Sequence, residues 1–156
     1  MSMEGHRFYP GEGASATQIL LLADEYRRSA DALLNAGRSG CAISWAPYRL
    51  VAIHAIELYL SAYLVAAGSR AAEIRAMQHD TAARAQAAAV AKLQLRKRTS
   101  AHLQALSDNR EYLVARYDPA QTTVSQLNRL QATLAEVAQK ISCAFADKVA
   151  STSNRH

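Results

Sequence analysis

Two arginines six residues apart, Arg110 and Arg116, have Tyr112 between them and Tyr117 beside the second. Guanidinium groups pair with phosphate oxygens in a two-pronged geometry, and an aromatic ring offers a face to a nucleobase, so this run could hold a nucleotide. The alternative is that Tyr117 packs inward and Arg116 closes a salt bridge with Glu57 or Asp118. Glu57 is the lone carboxylate in HAIELYLSAYLVAAG, the apolar run from His54 to Gly68. A bare buried carboxylate is strongly unfavourable, so Glu57 needs a donor, and Arg110, Arg116 or His79 could supply it. The result is either an ion pair that fixes helix register or one wall of a polar cleft. His79 and Asp80 stand just before a helical stretch, where the aspartate could cap the helix.

Other chemistry finds little support. There is no Gly-rich phosphate loop and no Ser-x-x-Lys nucleophile, and Cys41 and Cys143 are far apart without metal-ligand spacing, so no metal, redox chemistry or cofactor is expected. The net charge of +5 and pI near 9.5 permit a polyanionic partner. Fourteen of the eighteen basic residues are arginine, which suits phosphate recognition, although compositional bias would give the same excess. The cluster Lys92, Arg96, Lys97 and Arg98 could meet RNA phosphates or stay in solvent. His54 reads as a core or cleft histidine and His102 as part of a solvated face; their spacings from Arg49 and Arg96 read as coincidence.

These residues must be positioned by helices. Alanine makes up roughly a fifth of the chain, Pro and Gly are scarce and β-branched residues never cluster, so helix propensity dominates. A first helix is expected from Ser15 or Ala16 to Ala36, with Ile19, Leu22, Ala23, Tyr26, Ala30, Leu33 and Leu34 as its stripe and Gly37 as its stop. A second starts near Pro47 and ends at Gly68. Its length would suffice to cross a bilayer, but His54, Glu57 and Ser61 would then lie in hydrocarbon, so a soluble core helix is the better reading. A short turn from Arg70 to Met77 follows, then a third long helix from Thr81 to about Ser107. SDNREYLVARYDP reads as a partial helix running into a loop at Pro119. The last helix is expected from Thr122 or Thr123 to about Ala150. Residues 1–14 and 151–156 read as flexible tails, and the absence of an apolar stretch near the start points to the cytosol. The fold class is therefore all-α, a single antiparallel four- or five-helix bundle over residues 15–150.

The order of three segments resembles the HEPN domain (higher eukaryotes and prokaryotes nucleotide-binding). These are AIELYLSAYLVAAG, then QHD about ten residues later, then ARYDP about thirty-five residues beyond. That family's pattern has a helix with A-x-E-x-x-L-K-A-x-L and a terminal Gly, an H-D pair and an R-Y-P segment. The resemblance implies a helical bundle, often dimeric, with His79 and Asp80 lining the same groove as Glu57. Many members are metal-independent ribonucleases with Arg and His four to six residues apart, His acting as acid or base and Arg holding the phosphate. Counting on from Arg110, those positions hold Ala115, Arg116 and Tyr117, so the histidine is missing.

The expectation is accordingly a non-catalytic bundle binding a nucleotide or RNA through Glu57, His79, Asp80, Arg110, Arg116 and Tyr117. Its expected partners are a second copy of itself or a nucleotidyltransferase, as in a toxin and antitoxin pair, and no membrane. Two alternatives stand beside it: a ribonuclease using a displaced His79 or His102, and a structural oligomerisation bundle without ligand.

Overall fold

The computed structural model describes residues 9–154, and they form an all-α bundle. Five helices have ten residues or more: α1 (Ala16–Leu34), α2 (Ala46–Ala66), α4 (Thr81–Val90), α5 (Lys97–Asp108) and α7 (Leu127–Ser153). Two short ones, α3 (Ala71–Ala76) and α6 (Glu111–Tyr117), join them, and one 3-10 turn, Ala42–Trp45, leads into α2.

Helix α2 is the axis. It packs against α1, α3, α4, α6 and α7, and Ala52, Ala55, Ile56, Tyr59 and Leu60 are all fully buried. Among the described residues it is the one helix long and apolar enough to span a membrane, and 61% of the relevant window is buried inside the bundle. Contacts at Asp24 with Tyr59 and at Tyr26 with His54 set α1 antiparallel to α2. Contacts at Thr81 with Ser107 do the same for α4 and α5. The crossover through α3 brings α4 alongside α2 in parallel, with Glu57 facing His79 and Tyr63 donating to Ala91 O.

Local chemistry explains the boundaries. Ser15 and Gln18 form a reciprocal capping box at the start of α1, Pro47 lies in the first turn of α2 and Asp80 caps α4 by accepting from Ala83 N at 2.9 Å. At the end of α2, Gly68 has φ +101°, and Gly68 N and Ser69 N donate back to Val65 O and Leu64 O, closing a Schellman turn. Gly37 is not the stop expected for α1, which ends at Leu34 with Asn35 as its C-cap; glycine is needed there because a Cβ would lie 2.1 Å from the Trp45 ring.

Three other expected boundaries change. The stretch from Thr81 to Ser107 is two helices, because Lys92 adopts φ +80° and Lys92 N and Leu93 N reach back to Ala89 O and Ala88 O. This is the same Schellman turn, with lysine where α2 has glycine and Leu93 folded onto the core. The last helix starts at Leu127 rather than Thr122 or Thr123. Before it, Gln121 takes φ +49° and its amide donates to Val114 O and Asp118 O, while Ser125 is drawn to Glu111. It then continues to Ser153, through part of the expected tail. Of the expected N-terminal tail, residues 1–8 lie outside the described residues, as do residues 155–156 of the C-terminal one. Tyr9 is covered by the Arg75 guanidinium, 4.8 Å from its ring centroid, and Glu12 pairs with Arg75 at 3.7 Å.

Candidate functional site

Glu57 sits at the middle of α2, where the helix turns towards the start of α4. Its carboxylate is 6% exposed and lies between two histidines. His79 Nδ1 stands 3.2 and 3.3 Å from its two oxygens, and His54 Nδ1 lies 3.8 Å away, one turn back on α2. With the Nδ1–H tautomer His79 donates to Glu57, and Nε2 makes no hydrogen bond among the described residues. Of the three donors expected for Glu57, His79 is the one in place.

Aromatic rings close both ends of this arc. Tyr26 of α1 meets His54 edge to face at 4.6 Å, and Tyr112 of α6 lies against His79 at 4.8 Å. Two hollows meet at the His79 and Tyr112 pair. One, of about 510 Å³, includes Asp80, Ser107 and Arg110; the other, of about 250 Å³, includes Tyr26, His54 and Arg116. Arg110 and Arg116 thus flank Tyr112, each lining one hollow, and neither forms an ion pair among the described residues.

Arg110 is held at φ +48°, between α5 and α6, a conformation that a branched or long side chain adopts at some cost. Asp80 spends its carboxylate on structure, accepting from Ala83 N and from Ser107 Oγ at 2.9 Å. The Ala83 N–H first, and Ser107 next, keep its pKa below the usual carboxylate range. The ring expected from Tyr117 does not contribute: that side chain is 73% exposed and lines neither hollow, so it does not pack inward either. Tyr112, five residues earlier, is the tyrosine that lies against His79 and lines both hollows.

His102 is buried rather than solvated. It is 6% exposed, its Nδ1 lies 2.7 Å from Thr133 Oγ1, and burial, with Arg129 adding to it, lowers its pKa to about 4. It is a neutral packing residue at working pH. The expected pairing of Arg116 with Glu57 or Asp118 is likewise not formed.

Three buried charges, Arg49, Glu111 and Arg84, escaped the sequence reading. Arg49 on α2 pairs with Glu111 at 3.0 Å and donates to Ser125 O. Arg84 on α4 is 6% exposed and donates to Ser61 Oγ and to the carbonyls of Ile74 and Asp80. The available signal was the one that singled out Glu57: a charge standing alone in an apolar or alanine-rich run. Among the described residues no group of three His, Cys, Asp or Glu side chains could hold a metal ion. Comparison with known protein families, with curated proteins and with solved structures found no match.

Proposed function

We propose that this bundle binds a nucleotide or a short RNA segment in the groove between the start of α4 and α6. The observation that carries the reading is the placement of Arg110 and Arg116 on either side of the His79 and Tyr112 stack. Two guanidinium groups that pair with no carboxylate among the described residues are placed for phosphate oxygens, while the Tyr112 ring and the His79 imidazole supply a π surface. Glu57 orients His79 from behind, and Asp80 fixes the backbone that carries it. The proposal keeps the HEPN-like reading of the sequence and its implied partners in the cytosol, a second copy of the chain or a nucleotidyltransferase of a toxin and antitoxin pair. Tyr117 is no longer among its binding residues.

The test is a thermal-shift panel of nucleotides and short RNAs on the native chain, Arg110→Ala and Arg116→Ala, because a ligand that binds only the folded state raises Tm by mass action. A rise of several degrees that disappears in both variants supports the groove. A rise unchanged in both would place the ligand elsewhere.

A second reading is favoured by the His79 environment. An imidazole backed by a carboxylate, with Nε2 free beside two arginines, has the parts for general acid–base cleavage of RNA. In that case His79→Asn, whose amide can still donate to Glu57 but carries no titratable nitrogen, abolishes cleavage while leaving Tm near the native value. His102 has no place in it, being buried against Thr133.

A further inference from the structure

We propose that a third hollow, of about 370 Å³, bordered by α1, α2, α3, Arg84 of α4 and the residues just before α1, binds a small amphiphile through a single carboxylate head. The head meets Arg84, and the tail lies against Ile19, Leu22, Leu58 and Val65.

Arg84 makes no direct ion pair, although the Glu57 and Asp80 carboxylates act on it at longer range. The guanidinium is 6% exposed, and among the described residues no carboxylate pairs with it. The nearest acidic groups are committed elsewhere, Asp80 to Ala83 N and Ser107, Glu57 to His79. What remains is neutral and loosely placed: Ser61 Oγ at 3.2 Å, Ile74 O at 3.4 Å and Asp80 O at 3.5 Å. A buried cation whose direct partners are all neutral, with carboxylates acting only at longer range, has room for a further anion against its guanidinium. The same burial pulls its pKa below the usual guanidinium range.

The rest of the hollow selects the ligand class. Arg84 is the one buried cation lining it, and Arg75 at the rim is taken up by Glu12 and the Tyr9 ring. A single planar carboxylate matches one guanidinium fork, whereas a phosphate dianion would be left half neutralised. Leu58 and Val65, seven residues apart on one face of α2, and Ile19 and Leu22 of α1 give the lining an apolar side. Leu22 is 48% exposed although it belongs to the apolar stripe of α1, which an occupant here would cover. The volume falls in the range of small-molecule sites and suits a tail of roughly eight to ten carbons.

The experiment is calorimetric titration of the full chain with hexanoate, octanoate, decanoate and decanol, each below its micellar concentration. Binding that tightens about fourfold with each added methylene, with decanol about tenfold weaker than decanoate, supports the site. Decanol equal to decanoate on the native chain, or no saturable binding by any carboxylate, overturns it. Arg84→Gln removes the preference for carboxylate over alcohol. Leu22→Trp, at a half-exposed position on α1, fills the hollow and abolishes binding; decanoate binding undiminished in Leu22→Trp would also overturn the proposal.

Discussion

Arg49 on α2 and Glu111 at the start of α6 form a buried ion pair, Nη1 to Oε1 3.0 Å, with side chains 7% and 2% exposed. The carboxylate also accepts from the backbone N–H and the hydroxyl of Ser125. Removing one partner strands the other charge away from water. Arg49→Met or Glu111→Leu alone is expected to lower unfolding free energy by about 3–5 kcal/mol. The double variant is expected to lose much less than the sum, since no bare charge remains. Urea unfolding of the four proteins checks the cycle, and simple additivity would contradict it.

His102 makes stability depend on pH. Its folded-state pKa of about 4 lies below the 6.5 of the free side chain, so between those values the unfolded chain holds the extra proton. Stability is therefore present above about pH 6.5 and is lost as pH falls towards 4. Between pH 7 and pH 5 the native chain is expected to lose about 2 kcal/mol more than His102→Gln. Asp80 and Glu136 add a common acid-side loss in both proteins, because each is held below its usual pKa in the fold. For Glu136, burial pushes the other way and is outweighed by the Arg96 N–H, with Thr99 and Lys140 helping. Denaturant melts at the two pH values separate the histidine from that background; parallel losses would refute the assignment.

Gly37 is expected to resist even the smallest side chain. Its Cβ would stand 2.1 Å from the Trp45 ring, so Gly37→Ala should cost about 1–3 kcal/mol by overpacking. Gly37→Ala with Trp45→Leu should recover part of the loss. A Tm for Gly37→Ala equal to that of the native chain would show that the ring moves aside freely.

Lys92 and Arg110 hold glycine-like backbones with long side chains, at φ +80° and +48°. Lys92→Gly, in the Schellman turn after α4, is expected to stabilise by about 0.5–1 kcal/mol without affecting ligand binding. Arg110→Gly is expected to stabilise by a similar amount and to weaken nucleotide binding in the groove. Thermal melts and the nucleotide panel on the same two variants read both effects.

The sequence made visible whatever rests on local chemistry. Ser15, Pro47, Gly68 and Asp80 act within one turn of themselves, and their helix ends fall where they point. The ends set by distant partners were hidden. Lys92 closes a turn usually marked by glycine because Leu93 belongs in the core, and nothing near Lys92 announces that. The delayed start of α7 depends on Glu111 reaching Ser125 fourteen residues away. In the groove, Glu57 and His79 were legible because a lone charge in an apolar helix demands a donor. The choice of Tyr112 over Tyr117 was not, since it depends on which face α6 turns to α4. The same test applied to Arg49 and Arg84 would have marked both as buried.

The knot of Arg49, Glu111 and Ser125 also bears on the order of events in folding. Its contacts join residues 62 and 76 positions apart, whereas those that pair α1 with α2 span 28 and 35. Closing the longer loops loses more chain entropy before any contact forms, so the α1 and α2 hairpin is expected to assemble first and the knot to lock after the barrier. It then acts as a latch on the finished molecule: Glu111→Gln should raise the unfolding limb of the chevron and leave the refolding limb nearly where it was.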